Sequence, residues 1–410
     1  MNIRSITAFP DVSYPLESKS VSEAGEVLRA VREALTGAGY TVQTTRLATQ
    51  PFPSVLQDSG PGKAVDFAKD LEALAFVHEI DYIGLGPVRI DDPAPYSGVI
   101  PEVLAGTEKV FLGIEIASRE AGLSLPCARR AAETIHRVSE IGEGGLTNMR
   151  LTAQANVAPW APFLPASYHG GGTMRIALAT ESADLAVRSV GTASSLEEAR
   201  TRLIGLIEAE AERLESAVKR ALNRFDATFE GIDFSLAPFP EEARSIGAAL
   251  EQLGLSAMGG PGSLMACAFL ADTLDRAQFN RTGFCGLMLP VLEDSVLAER
   301  AAEGLLTTSD LLTYSAVCGT GLDTIPLPGE VSEDALAAIL LDVGALALRL
   351  DKPLTARLMP IPGKQAGDEV AFEFEYFTTT RVFGVPEGAL GGLLTGDERV
   401  MIRSRAAGKR

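Results

Sequence analysis

The first 140 residues alternate between helical and strand-like patterns of apolar side chains. Val27, Leu28, Val31 and Leu35 recur at the spacing of one helix face, and a strand-like run begins near Tyr40. The same succession of a helix and a strand continues up to about residue 140. Because helices that alternate with strands must cover a sheet, this pattern predicts an α/β fold.

The rest of the chain continues the alternation. A capping box at Ser195 and Glu198 begins a predicted helix that runs to residue 225 and carries one long apolar stripe. Apolar strands are predicted over 284–291, 355–361 and 370–377. We interpret the stripe of the long helix as core or as a subunit interface, and together with an acidic surface it favours a homo-oligomer.

The domain organisation follows from what the chain lacks. No linker rich in proline, serine or charge interrupts the sequence, and no repeat of fixed period occurs. We therefore predict a single α/β domain over 1–380. The Gly-rich C-terminal tail over 381–410 is predicted to fray or to serve an interface.

Composition and charge narrow the function classes. With 410 residues and a formal charge of −18, the protein has a negative field that repels phosphate backbones and anionic lipids. We predict neither a nucleic-acid partner nor a membrane partner, since no run of about 18 apolar residues and no secretory signal pattern is present. Four dispersed cysteines without a CxxC pair are typical of reduced thiols, so the predicted location is the cytoplasm.

Familiar catalytic motifs are absent from the sequence. It contains no HExxH, Walker A, GxSxG or complete GxGxxG motif, so neither zinc nor a nucleotide cofactor is predicted. His169 stands in Tyr168-His-Gly-Gly-Gly172, where glycines let the backbone approach a ligand closely. This stretch is therefore a candidate substrate-binding loop, although a simple turn explains it equally well.

Polar residues cluster with glycine and proline in five stretches where apolar strands or helices end. In α/β proteins ligands usually bind at such ends. The carboxylates in these stretches are candidates for a general acid or base, and the basic and amide side chains are candidates for substrate binding. The candidate carboxylates are Glu143, Asp233, Glu293, Asp294 and Asp323. The candidate substrate-binding residues are Asn148, Arg150, Arg244, Arg357 and Lys364. The alternative is that these acidic and basic residues only pair with each other or with helix termini.

Cys318 is the most specific single candidate. It precedes Gly-Thr-Gly, a backbone that can turn tightly and aim several N–H groups at one point. Such a turn would favour a thiolate or bind an anion. The alternative is a buried cysteine that acts as a small apolar residue.

Several of these stretches resemble the DUF711 family, also called UPF0210. The resemblance covers about residues 1–380 and rests on seven stretches of the sequence. These are Met1-Asn-Ile-Arg-Ser-Ile-Thr, Asn148-Met-Arg-Leu-Thr-Ala, Gly231-Ile-Asp-Phe-Ser-Leu-Ala-Pro-Phe-Pro, Arg244-Ser-Ile-Gly, Gly286-Leu-Met-Leu-Pro-Val-Leu-Glu-Asp, Tyr314-Ser-Ala-Val-Cys-Gly-Thr-Gly-Leu-Asp and Leu354-Thr-Ala-Arg-Leu-Met-Pro-Ile-Pro-Gly-Lys.

The resemblance implies a fold similar to pyruvate formate-lyase and anaerobic ribonucleotide reductase. That fold is a barrel of two opposed half-sheets surrounded by helices, with a central finger loop that carries a cysteine, a position that Cys318 fits by motif character. Arg381-Val-Phe-Gly384-Val resembles the radical-glycine signature but lacks its usual aromatic residue after the glycine. The resemblance therefore implies an inherited fold without the radical chemistry.

Some actinobacterial relatives look like cyclases of polyketide-type natural products that work by dehydration and Michael-type addition. We therefore expect a cofactor-independent acid/base enzyme, a cyclase or lyase, that acts on a small organic substrate with Glu143 or Asp233 as the base. The alternative is a regulatory protein that binds a metabolite or a divalent cation, with Glu293, Asp294 and Asp323 as oxygen ligands for Mg or Ca. A true glycyl-radical enzyme is the third hypothesis.

Overall fold

The computed structural model describes residues 1–386 and 390–405. The strands within these ranges are β1 (Asn2–Phe9), β2 (Val42–Pro51), β3 (Tyr82–Val88), β4 (Val110–Ser118), β5 (Gly122–Ser124), β6 (Leu151–Ala155), β7 (Arg175–Glu181), β8 (Thr228–Asp233), β9 (Gly321–Pro328), β10 (Leu354–Ile361), β11 (Glu369–Val370), β12 (Thr380–Arg381) and β13 (Arg399–Val400). The α-helices within them are α1 (Ser18–Gly37), α2 (Phe52–Leu56), α3 (Ala64–Val77), α4 (Pro95–Gly98), α5 (Ile100–Ala105), α6 (Leu125–Ser139), α7 (Ala183–Gly191), α8 (Leu196–Leu222), α9 (Ile246–Gln252), α10 (Ser263–Arg276), α11 (Ser295–Ala302), α12 (Thr308–Ser315) and α13 (Glu333–Leu350).

The main sheet consists of two half-sheets that run in opposite directions. Strands β1, β2, β3, β4 and β6 are parallel neighbours and form the first half-sheet. Strands β7 and β8 are parallel to each other, as are β9 and β10, and they belong to the second half-sheet. The halves meet in two antiparallel seams, β1 with β7 and β6 with β10.

Residues 281–290, which we call the bridging segment, close this row of strands into a barrel. Parallel bridges connect the segment to the β8 side through Arg281 and Leu287, and to β9 through Pro290. The second half-sheet thereby gains a fifth member, and the two free edges of the row are joined. The predicted α/β barrel of two opposed half-sheets is therefore confirmed.

Residues 156–174, which we call the inserted loop, connect β6 to β7 and enter the barrel. The Ser5 and Thr7 hydroxyls on β1 donate to the Pro162 carbonyl at 3.4 and 3.0 Å. A Cβ atom on Gly84 of β3 would lie 2.7 Å from Cδ2 of Leu164, so the missing side chain leaves room for the loop. The inserted loop thus fills the place of the predicted central finger loop.

The prediction that Cys318 lies on this finger loop is wrong. The inserted loop contains no cysteine. Cys318 instead follows α12, where its N–H donates to the Tyr314 carbonyl at 2.8 Å. Its side chain is 1% exposed and belongs to the main hydrophobic core, so the apolar alternative is the better description.

The helices cover the outside of the barrel. The apolar stripe of α8, from Ala199 to Leu222, is buried and contacts α1, α7 and α10. Ser195 caps this helix by accepting a hydrogen bond from the Glu198 N–H at 3.2 Å, as its capping pattern predicts. Because the stripe is covered within the chain, it offers no face to a second subunit, and the homo-oligomer stays a prediction. Within the described ranges, no helix is long and apolar enough to cross a lipid bilayer.

Two predictions about the C-terminal third need correction. The strand predicted over 370–377 is formed only at β11, because the rings of Phe372, Phe374 and Phe377 pack together with centroids 5.0–5.6 Å apart. The described part of the tail does not fray, since β13 pairs with β5 and Arg129 of α6 donates to the Gly396 carbonyl at 2.9 Å. Residues 387–389 and 406–410 of the tail lie outside the described residues, and the domain boundary stays a prediction.

Candidate functional site

A cavity lies inside the barrel between the inserted loop and the ends at which β1, β2, β3 and β4 begin. Its volume is roughly 90 Å³, several times the roughly 10–15 Å³ that one water molecule needs. Apolar walls come from the inserted loop, the bridging segment and the aromatic residues 374 and 376. The charged residues that line it are Arg4, Arg46, Glu293, Asp323 and Arg357. The cavity is therefore large enough for a small molecule and has both apolar walls and a charged edge.

Arginines and carboxylates alternate along one edge of the cavity. Arg357 on β10 donates to Asp323 on β9 and, at 2.8 Å, to Glu293. The other oxygen of Glu293 accepts a hydrogen bond from Arg4 on β1. Arg4 also donates to Glu181 of β7 at 3.3 Å. These contacts join both half-sheets, and we call them, together with Arg244, the charge chain.

Arg244 forms the outer end of the charge chain. Its guanidinium donates to Glu181 and lies 3.7 Å from the ring centroid of Phe239. The ring of Phe239 in turn packs against Tyr376 with centroids 5.9 Å apart, and Tyr376 lines the cavity. Arg244 therefore supports the cavity wall from behind and is not itself among the lining residues.

The pKa values of the two cavity carboxyls move in opposite directions. Burial would raise the pKa of Glu293, but the charges of Arg4 and Arg357 outweigh burial and lower it. The pKa of Asp323 is raised, because the effect of burial outweighs the attraction of the Arg357 charge. The negative charge of Glu293 raises it further. Carboxyls whose pKa values are pushed apart are the arrangement that acid/base catalysis uses.

Asp323 is also the freer of the two carboxylates. Both oxygens of Glu293 are held by arginines. At Asp323 only Oδ1 accepts a hydrogen bond from Arg357, and among the described residues Oδ2 has no hydrogen-bond partner. One oxygen of Asp323 is thus available to a bound molecule.

Two of the predicted carboxylates are structural. Asp233 is fully buried and accepts hydrogen bonds from Ser235 and from the N–H groups of Phe284 and Cys285 at 2.7 and 2.9 Å, which fixes the bridging segment against β8. Burial raises the pKa of Asp233 to about 6, against the effect of these hydrogen bonds. Asp233 does not line the cavity, so the structure does not bring this predicted base to the candidate site.

Asp294 caps two helices at once. It accepts from Val296 and Leu297 at the start of α11, and from Ile246 and Gly247 at the start of α9. Its carboxylate is therefore directed away from Glu293 and Asp323. In the described part of the chain no group of three or more His, Cys, Asp or Glu side chains could hold a metal ion, and the predicted ligand set for Mg or Ca is not formed.

Other predicted site residues lie elsewhere. Arg150 is buried and donates to the carbonyls of residues 104, 107 and 110 at 2.7–3.3 Å, so it holds α5 to β4. Asn148 donates to the Ile135 carbonyl at 3.2 Å. Glu143 and Lys364 are exposed on loops. None of these four lines the cavity, so the structure does not bring them to a shared site.

His169 is buried at the base of the inserted loop. The backbone N–H of His169 donates to the Thr49 carbonyl of β2 at 2.9 Å. Burial lowers the pKa of the His169 imidazole. It does not line the cavity, so the turn interpretation fits better than direct substrate binding.

The sequence reasoning missed Arg4, Arg46 and Glu181. Arg4 lies in the opening stretch that carries the family resemblance, and each of the three is a charged residue in a strand whose central residues are buried. A charge in a buried strand must be paired or functional, because burying it alone is costly. That signal was present in the sequence.

Comparison with known proteins assigns the chain to a family. A family model described as "Uncharacterised ACR (DUF711)" matches residues 1–375. A UPF0210 protein of Pyrobaculum aerophilum is 33% identical over 89% of this chain and 85% of its own length. A UPF0210 protein of Methanopyrus kandleri is 29% identical over 88% of this chain and 84% of its own length.

Among solved structures, an anaerobic ribonucleotide reductase aligns with 87% of this chain and 70% of its own. The identity is 9% and the TM-score 0.36, a likeness too low to carry an argument about fold or chemistry. The family model and the relatives, in contrast, match most of the sequence. The chain therefore belongs to the DUF711 (UPF0210) family.

Proposed function

We propose that this protein is an enzyme that moves protons on a small organic substrate inside the barrel, using its own side chains without a cofactor. The observation that carries the proposal is Asp323, a carboxylate that lines the cavity with one oxygen fixed by Arg357 and the other without a hydrogen-bond partner among the described residues. Its raised pKa makes it a better proton acceptor than an ordinary aspartate.

The three central residues have different roles in this proposal. Asp323 transfers the proton, and Arg357 positions it. Glu293 balances the charges of Arg4 and Arg357, because both its oxygens are already engaged. This assignment replaces the earlier expectation that Glu143 or Asp233 acts as the base.

The reaction class that suits one free carboxylate is the loss of water from a 3-hydroxy carbonyl compound. Asp323 takes a proton from the carbon next to the carbonyl, and the hydroxyl at the following carbon leaves. The same proton goes to the departing hydroxyl, so water forms, a carbon–carbon double bond remains and the carboxylate is regenerated. Addition of a second nucleophile of the substrate to that double bond would close a ring, which is the cyclase form of the proposal.

The test is proton exchange in D₂O with a panel of small 3-hydroxy carbonyl compounds, followed by proton NMR. The wild-type protein should replace the hydrogen next to the carbonyl by deuterium or release water. Asp323→Asn should lower that rate by about 100-fold or more, the usual contribution of a general acid or base. Asp58→Asn, at an exposed position outside the cavity, is the matched control. Exchange at an unchanged rate in Asp323→Asn would refute the proposed role.

A metabolite-binding protein is the second candidate, and one observation favours it. Glu293 forms ion pairs with both Arg4 and Arg357, as carboxylates do in networks that only stabilise a fold. A cavity with such a wall could bind a metabolite without transforming it. Saturable binding of panel compounds without exchange or water loss would support this candidate over the enzyme.

A further inference from the structure

Arg46 stands apart from the other charged residues of the cavity. It lies on β2, is 8% exposed and lines the cavity. Its Nε donates to the Thr44 hydroxyl at 3.0 Å, and its guanidinium lies 5.9 Å from the ring centroid of Tyr82. Among the described residues, no carboxylate forms an ion pair with Arg46 within 4.0 Å. Its two terminal nitrogens are therefore available to a ligand.

The positive charge of Arg46 has no negative partner among the charged residues that line the cavity. Arg4, Arg244 and Arg357 are matched by the buried carboxylates Glu181, Glu293 and Asp323, so the buried part of the charge chain is neutral. Glu241, which also pairs with Arg244, is 57% exposed and therefore solvated outside the cavity. Arg46 adds one positive charge. Burial, and next the charge of Arg4, lower the pKa of Arg46 to about 10, so it remains protonated at neutral pH. A buried cation without a counter-charge is costly, and proteins keep such groups where a ligand supplies the missing charge.

We infer that the ligand of this cavity is an organic monocarboxylate with an apolar body, and that the Arg46 guanidinium binds its carboxylate. The inference rests on the proposed function for the location of the site and adds the substrate class. A planar guanidinium presents paired N–H groups that match the two oxygens of a carboxylate. The single positive charge of Arg46 matches the one negative charge of a carboxylate, whereas a phosphate ester carries nearly two negative charges.

The walls of the cavity support the apolar body. Phe163 and Leu164 of the inserted loop, Met288 of the bridging segment and Phe374 line it. These side chains offer no strong hydrogen-bond donors, so an apolar part of the ligand can pack against them, while the polar side chains of Gln43, Thr320 and Thr355, which also line the cavity, suit a polar part.

The experiment uses matched ligands that differ in charge. Benzoate, phenylacetate, cinnamate and hexanoate are each compared with the corresponding amide, and phenylphosphonate serves as a dianion. Binding to the full-length protein is measured by isothermal titration calorimetry at low ionic strength. At least one carboxylate should bind about tenfold or more tightly than its amide and than phenylphosphonate, as expected for a charge-assisted pair. Equal affinity across each pair, or no carboxylate binding at millimolar concentration, would overturn the inference.

Variants assign the preference to Arg46. Arg46→Gln should weaken carboxylate binding about 10- to 100-fold and leave amide binding unchanged, and Arg46→Lys should retain part of the preference. Arg29→Gln is the control, since Arg29 forms an exposed ion pair outside the cavity. Without ligand, the urea midpoint of Arg46→Gln should equal or exceed that of the wild type, because an uncompensated buried charge is removed. A lower midpoint with unchanged carboxylate preference would show that Arg46 is only structural.

The inference and the proposed function can fail separately. Asp323→Asn should still bind the carboxylate while it loses proton exchange. Carboxylate binding through Arg46 without any exchange in the wild type would refute the enzyme and leave the ligand class standing. Exchange on neutral compounds that Arg46→Gln does not change would refute the ligand class and leave the enzyme standing.

Discussion

Replacing Arg357 by methionine should destabilise the protein in a pH-dependent way. The substitution keeps most of the side-chain volume but removes the cation that contacts both Glu293 and Asp323. Those carboxylates are only 6% and 8% exposed, so solvent compensates only in part for the loss of the arginine. Breaking a buried ion pair from one side costs about 3–5 kcal/mol, and we expect a loss of this size in the free energy of unfolding near pH 7.

The sign of the pH dependence follows from Asp323. Burial already raises the pKa of its carboxyl, and removing Arg357 takes away the main opposing attraction. A carboxyl whose pKa is higher in the folded than in the unfolded state contributes stability at low pH and loses it as the pH rises through the folded-state pKa. The deficit of Arg357→Met should therefore be largest at about pH 8 and should shrink toward about pH 5.

Urea unfolding followed by the emission of Trp160 measures this effect. Trp160 is the single tryptophan, lies on the inserted loop and packs against Phe9, Ala48 and Ala177 of the barrel strands, so its emission changes when the barrel unfolds. Arg119→Met, which breaks the exposed pair with Asp351, is the control and should cost less than about 1 kcal/mol. A cost below about 1 kcal/mol for Arg357→Met, or a cost that does not change with pH, would refute the reasoning.

Three further predictions test the structural assignments. Asp294→Ala removes the acceptor of four N–H groups at the starts of α9 and α11, although Ser245 still caps α9, and should cost about 3 kcal/mol in urea unfolding; a cost under about 1 kcal/mol would contradict the role of Asp294 at both helices. Gly286→Ala places a Cβ 2.3 Å from Cα of Gly319 and should reduce the yield of folded protein measured by circular dichroism, whereas Gly37→Ala meets no atom within 4 Å and should be tolerated. Cys318→Ala should keep deuterium exchange in D₂O within about twofold of the wild type; loss of exchange in a folded variant would restore the thiol as a candidate.

Local patterns predicted the helices well because their signals lie within a few residues. The apolar spacing and the Ser195 cap define α8 without any tertiary information. The same dependence on local patterns made the strand prediction over 370–377 wrong for most of its residues. The aromatic and acidic residues of this segment alternate with the period of a strand. In the folded chain the rings of Phe372, Phe374 and Phe377 pack on one another, and Phe374 lines the cavity, contacts that strand periodicity does not encode.

The candidate site could be predicted only in part because its contacts join distant parts of the chain. Glu293 and Arg4 are 289 residues apart, and Glu293 and Arg357 are 64 apart. Glu293, Asp323 and Arg357 were found because each follows or lies in a polar stretch at a strand end. The same criterion selected Asp233 and Asp294, whose carboxylates accept backbone hydrogen bonds instead. A carboxylate at the end of a strand can therefore accept backbone hydrogen bonds or line a cavity. The local sequence does not distinguish these two roles, because both use the same type of residue.

The position of Glu293 explains why one charge chain serves both stability and the site. Arg4 belongs to the first half-sheet and Arg357 to the second, and each donates to a different oxygen of Glu293. Glu293 is therefore the point at which the two half-sheets are held together by charge across the barrel. The two arginines lower the pKa of Glu293 and so oppose its protonation, and this leaves Asp323, whose pKa is raised, as the cavity carboxyl that takes up a proton more readily. The same constraint leaves Arg46, which no carboxylate of the charge chain contacts, as the cation that a bound molecule can neutralise.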